Sequence, residues 1–144
     1  MIVLDSFAVL AYLKDEPAAD RVGGLIHRDG SAALTALGVA EVLDHLVRLV
    51  GVDEEEAVLD LAQLNLAEPF AVDARITTRA GLTRARRYHR RECAVSLADV
   101  VALETARAQH APVATADAQL LATCRAEHVD VIPLPNSAGT SSTT

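Results

Sequence analysis

The chain opens on an apolar run, Met1-Ile2-Val3-Leu4, that stops at Asp5, and the period then changes: Phe7, Leu10, Ala11 and Lys14 recur at helical spacing. A short buried strand leading into a helix accounts for the change. Asp5 then stands at the carboxyl end of the strand, with Ser6 as a candidate N-cap. Asp15-Glu16-Pro17 breaks the pattern, and Pro17 suits the first turn of a second helix that runs to about His27 and stops at the turn formers Asp29 and Gly30. Residues 32–35 read as a second strand. Val39, Leu43, Leu46, Val47 and Val50 form the apolar stripe of a helix ended by Gly51. Asp53 caps the next helix, and Glu54, Glu55 and Glu56 complement its dipole.

Residues 66–72 contain Pro69, so a third strand there is short or lies at an edge. Asp73 and Thr83 can each start a helix, which predicts a basic helical pair through about Arg91. Ser96 caps a helix from Leu97 to about His110. Residues 112–115 form a fourth strand, Asp117 opens the helix after it, and residues 129–132 form a fifth. Residues 136–144, rich in Ser and Thr and without periodicity, read as a disordered tail behind a single domain of residues 1–135. This alternation predicts an α/β fold in three layers, with a mostly parallel five-stranded sheet between helices.

Composition agrees with that architecture. Apolar residues make up 51% of the 144, aromatics only 3%, and Trp is absent. The core is therefore aliphatic, as expected of strands covered on both faces. No apolar run is long enough to cross a bilayer, and an acid stands at position 5 where a secretory leader carries basic residues; a soluble, cytoplasmic chain without a membrane partner is expected. Cys93 and Cys124 are too few for a disulfide framework or a thiolate metal site and read as reduced thiols. The net charge of −7 disfavours indiscriminate phosphate binding. The charge is uneven, however. Seven of the 13 basic residues, Arg75, Arg79, Arg84, Arg86, Arg87, Arg90 and Arg91, fall in one segment that can either contact phosphate or serve as a solvated helix face.

Three acids carry the candidate chemistry. Asp99 shares its helical face with Ala102, Leu103 and Ala106, so it points into an apolar arc, where a carboxylate needs a partner such as an Arg, backbone N–H groups or a metal ion. Ser96-Leu97-Ala98-Asp99 also permits a capping box, which would make Asp99 an ordinary first-turn acid. Asp117 lies just past a strand end, either as an N-cap or as a ligand, with Thr115 beside it to bond the carboxylate or a water. Asp5, Asp99 and Asp117 all fall at strand ends or helix starts on one edge of the expected sheet. Clustered carboxylates repel one another unless cations are present, and an all-oxygen cluster suits Mg²⁺ or Mn²⁺ over zinc. Glu41 lies nearly opposite the apolar stripe of its helix, which predicts an exposed residue paired with His45 at i+4, yet an outward residue near a helix start can also face the mouth of the sheet, and periodicity does not choose between the two.

Four segments then match a known family: Met-Ile-Val-Leu-Asp-Ser at 1–6, Ala40-Glu41-Val42, Ser96-Leu97-Ala98-Asp99, and Thr115-Ala116-Asp117-Ala118-Gln119-Leu120. In this order they resemble PIN-domain ribonucleases, most closely the VapC-type toxins of toxin–antitoxin pairs, over nearly the whole chain. The resemblance implies acidic metal ligands and catalytic residues at Asp5, Glu41, Asp99 and Asp117, with supporting hydroxyls at Ser6 and Thr115. It also implies one or two Mg²⁺ or Mn²⁺ ions, endonucleolytic cleavage of RNA, a homodimer, and a small VapB-type antitoxin whose C-terminal segment occludes the site. Arg75, Arg79, Arg84, Arg87 and Arg91 are the candidates for substrate phosphate. Cys93-Ala94-Val95 departs from the Gly-rich turn often found before the Ser-Leu-Ala-Asp segment. An aspartyl-nucleophile phosphatase fits worse, because position 7 is Phe and the only Lys is Lys14; no Gly-rich turn supports a dinucleotide site. A catalytically silent PIN-fold module that binds RNA or protein is the remaining alternative.

Overall fold

The computed structural model describes residues 1–28 and 31–141. The turn expected at Asp29 and Gly30, and the tail beyond residue 141, lie outside the described residues. In chain order the elements are β1 (Ile2–Leu4), α1 (Ser6–Leu13), α2 (Ala19–Ile26), β2 (Ala32–Ala33), α3 (Ala36–Asp44), a π-helical turn at His45–Val50, α4 (Glu54–Ala62), α5 (Ala74–Arg87), α6 (Leu97–Gln109), β3 (Val113–Thr115), α7 (Ala118–Ala126) and β4 (Val131–Pro133).

The strands form one parallel sheet in the order β2-β1-β3-β4, with Val3 opposite Ala33 on one side and Val113 on the other. Side chains alternate between its faces. Ile2, Leu4, Ala114 and Leu134 pack against α1 to α4, whereas Val3 and Val113 pack against α5, α6 and α7. Two aliphatic cores on either side of the sheet make the three layers.

The sheet has four strands rather than the five expected. Residues 66–72 do run beside β2: Ala67 N–H donates to Ala32 O at 2.9 Å, Phe70 N–H to Leu34 O at 2.9 Å, and Ala36 N–H to Phe70 O at 2.8 Å. Pro69 has no N–H to continue this ladder, and only the single bridge between Thr35 and Phe70 survives.

The basic pair of helices is also a single element. Asp73 caps α5 through Ile76 N–H at 2.9 Å, and Thr83 lies inside that helix, donating its hydroxyl to Glu104 at 2.9 Å instead of starting a new one. Asp5, not Ser6, is the N-cap of α1. Residues 136–141 fold into a turn in which the Asn136 side-chain oxygen accepts from Ala138 and Thr140 N–H, both at 3.0 Å.

Glu104, on the side of α6 away from Asp99, is 2% exposed and paired with Arg107 at 3.1 Å. Arg107 reaches on to Glu127 at 2.8 Å, which Arg87 also meets at 2.7 Å and Arg86 at 3.5 Å. This network fastens α5 and α6 to the end of α7.

Candidate metal centre at the carboxyl edge of the sheet

β1 feeds helices toward the β2 side, and β3 feeds α7 toward β4. The carboxyl ends of β1 and β3 therefore bound the crevice where the connections diverge, which is where open α/β sheets build their sites. Asp5 follows β1, its N–H donating to Ala114 O at 3.0 Å, and Asp117 lies two residues beyond β3. α3 brings Glu41, and the first turn of α6 brings Asp99.

Each aspartate is anchored by local backbone chemistry. Asp5 is 6% exposed; its Oδ1 accepts from Phe7 N–H at 3.2 Å and the Ser6 hydroxyl at 3.4 Å, and its Oδ2 from the Thr115 hydroxyl at 2.7 Å. That Thr115 oxygen also accepts from Asp117 N–H at 3.0 Å, so one buried hydroxyl ties the ends of β1 and β3 together. Asp117 caps α7 through Gln119 and Leu120 N–H, at 2.8 and 3.0 Å to Oδ1. Asp99 and Ser96 form the capping box read as one alternative from sequence, with Ser96 N–H 2.9 Å from Asp99 Oδ2. The capping role and a role in a carboxylate cluster thus coexist in the same side chain.

Electrostatics join the four acids. Burial pushes the Asp5 carboxyl up to about 6, against the Thr115 and Phe7 hydrogen bonds, with Asp99 and Asp117 adding repulsion. Burial raises Asp99 as well, opposed by Ser96 and reinforced by Asp117. Glu41 is half-buried rather than exposed, and its carboxyl is raised by burial and by Asp99 while the Ser6 side chain lowers it. Its expected pairing with His45 does not form among the described residues: His45 packs edge-on against Phe7, ring centres 5.9 Å apart. Periodicity measures distance from the helix's own core, whereas Glu41 is partly covered from outside the helix, near Ser6 and Asp99.

The donor set is entirely oxygen, self-repelling and partly desolvated, which is the chemistry of a Mg²⁺ or Mn²⁺ site. Among the described residues, no three acidic, His or Cys side chains converge tightly enough to hold one ion as they stand. The caps explain this, since each draws a carboxylate toward its own backbone. Asp99 Oδ1 and Asp117 Oδ2 nevertheless accept no hydrogen bond among the described residues. In donor chemistry and mutual repulsion, the residues fit a divalent cation.

The arginine segment divides. Arg84 is committed to Val95 O at 2.9 Å and stacks over Tyr88 at 4.3 Å, and Arg86 and Arg87 serve the Glu127 network. Arg75, Arg79, Arg90 and Arg91 are exposed and make no ion pair among the described residues. What sequence did not reveal is the exposure of Phe7. Helical spacing grouped it with buried Leu10 and Ala11, yet its ring is 58% exposed beside Asp5.

A buried Asp after the first strand of a parallel sheet, joined by acids from three further elements, defines a class of acidic α/β domain. The chain belongs to the PIN domain family, which matches residues 2–128. No curated protein matches it. Among solved structures, it is similar to a chain of VapBC2 from Rickettsia felis bound to a DNA fragment from their promoter, at 16% identity and TM-score 0.69, covering 92% of this chain and 98% of that one. It is also similar to a chain of FitAcB from Neisseria gonorrhoeae, at 20% identity and TM-score 0.67, covering 92% and 96%. A toxin–antitoxin complex from Klebsiella pneumoniae matches at 15% identity and TM-score 0.64, over 85% and 91%. These likenesses establish the shared fold.

Proposed function

We propose that this PIN domain is a metal-dependent endoribonuclease and the toxin of a toxin–antitoxin pair, acting as a homodimer and neutralised by a small VapB-type antitoxin. The observation that carries the catalytic reading is the electrostatic coupling of Asp5, Glu41, Asp99 and Asp117 at one edge of the sheet. The partner is inferred from the complexes in which the same fold is found.

Asp5 and Asp99 are assigned as principal ligands for Mg²⁺ or Mn²⁺, and Glu41 and Asp117 complete the site. An ion held by these carboxylates would supply Lewis acidity for activating a water and offsetting charge on a leaving oxygen. Thr115 fixes the Asp5 carboxylate and the loop to Asp117 in one orientation, and the Ser6 hydroxyl adds a third hydrogen bond to Asp5. No Ser–His or Cys–His relay is called for, and His89 serves its own turn by accepting from Arg91 and Glu92 N–H. Of the five candidate arginines, Arg75, Arg79 and Arg91 are exposed, make no ion pair among the described residues and are free to approach phosphate.

Incubation of the purified protein with structured RNAs and Mg²⁺ or Mn²⁺ tests the reading. Cleavage should appear with metal and vanish with chelator. RNA binding without turnover would make the chain a silent PIN-fold module, and cleavage that survives chelation would remove the metal from the mechanism.

A further inference from the structure

Aromatic residues are only 3% of this chain, and one of its two Phe residues stands 58% exposed next to the most buried acid of the site. Phe7 lies in the first turn of α1, and its own N–H holds Asp5 Oδ1 at 3.2 Å. Ring and carboxylate therefore share one rigid turn. The edge-on contact with His45 steadies the ring without covering it.

Beside the ring runs a cleft of about 310 Å³ with Asp5 and Asp117 among its lining residues. Its walls include the apolar side chains of Ala8, Ala11, Leu134 and Pro135; Asn136 supplies a polar group, and Lys14 lines the cleft already paired with Glu16 at 3.1 Å. The Asn136 oxygen is used by its own turn, which leaves the amide NH₂ as a donor. That volume is at the small end for a ligand pocket. A slot with mainly apolar walls, an aromatic ring and a few polar groups suits a flat heteroaromatic ring better than a sugar or a phosphate, whose many polar atoms the apolar walls would leave without partners.

We propose that this cleft is a base-binding subsite, in which Phe7 stacks on the base of a nucleotide flanking the scissile phosphate. The proposal rests on the ribonuclease reading above and narrows it to single-stranded or looped RNA, because a base must leave its helix to enter. Stacking of this kind tolerates every base, so the subsite sets where the strand lies more than which sequence is cut.

The test pairs removal of the ring with removal of the base. The substrate is a single-stranded RNA that the wild-type protein cleaves, prepared intact and with an abasic ribose on either side of the scissile bond. One abasic substrate should lower wild-type kcat/KM by roughly 5- to 150-fold, the range for one stacked base. Phe7→Ala should lower kcat/KM on the intact RNA by a similar factor. On that variant the abasic change should cost no more than about twofold, the mark of a shared interaction. Phe7→Tyr should restore the wild-type pattern, and the exposed position predicts an unchanged melting temperature for all three proteins. Abasic penalties that persist in Phe7→Ala, or that are absent from the wild type, overturn the subsite and leave the nuclease standing. Unchanged cleavage by Phe7→Ala with loss of a protein partner's binding would reassign the ring to a protein interface, against the proposal. If no RNA is cut in a chelator-sensitive way, the nuclease reading falls and the subsite falls with it.

Discussion

Asp5 shows how one side chain can be held firmly and still oppose folding. Three hydrogen bonds favour its charged form, yet burial and two neighbouring acids win, and its carboxyl rises from 3.8 to about 6. A carboxyl raised on folding stabilises the protein fully below its unfolded value, and that contribution is lost as pH climbs through the folded value. In the presence of chelator, the melting temperature should therefore fall between about pH 4 and pH 7. The shift corresponds to about 3 kcal/mol at neutral pH. Asp99 and Glu41 are raised in the same direction and deepen the trend. Asp5→Asn should flatten it and melt higher than wild type at pH 7; a variant that keeps the full slope would place the repulsion elsewhere. At this scale sequence spoke unevenly. Asp5, Asp99 and Asp117 were legible because strand ends and helix starts are local patterns. Glu41 required the family resemblance, since its burial comes from elements distant in the chain. The exposure of Phe7 was not legible, because helical spacing does not say where the covering layer stops.

Among the elements, α6 does two jobs, presenting Asp99 at its start and burying Glu104 against α5. Glu104 survives at 2% exposure because Thr83 donates to one oxygen and Arg107 embraces both, while Arg107 is itself held by Glu127. Burial pushes the Glu127 carboxyl up, but Arg87, Arg86 and Arg107 outweigh it and hold it below the usual range. Arg107→Leu strands Glu104 with a single hydroxyl and should cost about 3–5 kcal/mol, the penalty for breaking a buried pair from one side. Denaturant unfolding measures it, and a loss below about 1 kcal/mol would mean the network is solvated. Glu104 and Arg107 stand three apart on one side of α6, and no local pattern shows α5 arriving over them. Sequence divided α5 because Thr83 resembles a cap; a Thr inside a helix passes for a start unless its buried partner, 21 residues away, is known. Pro69 carried the right warning about residues 66–72, and it was strong enough to remove the strand altogether.

Over the whole molecule, the parallel order β2-β1-β3-β4 gathers the acids. β1 and β3 are neighbours 110 residues apart in the Thr115–Asp5 bond, and no local pattern reports such a pairing. The three layers and the aliphatic core were legible because composition and alternation over the full length constrain them. The caps at Asp5, Asp99 and Asp117 also explain why the cluster tolerates its own repulsion: each of these three helix starts gains a hydrogen-bonded carboxylate, typically worth about 1 kcal/mol, while the cluster remains poised for a cation. Function then rests on whether the four acids act as one unit. The direct measurement is the initial rate of Mg²⁺-dependent RNA cleavage by Asp5→Asn, Glu41→Gln, Asp99→Asn and Asp117→Asn beside the wild type. Each substitution should lower the rate by roughly a hundredfold or more, as loss of a group stabilising charge in the transition state does. An Asp5→Asn or Asp99→Asn protein that cleaves at the wild-type rate would contradict the account.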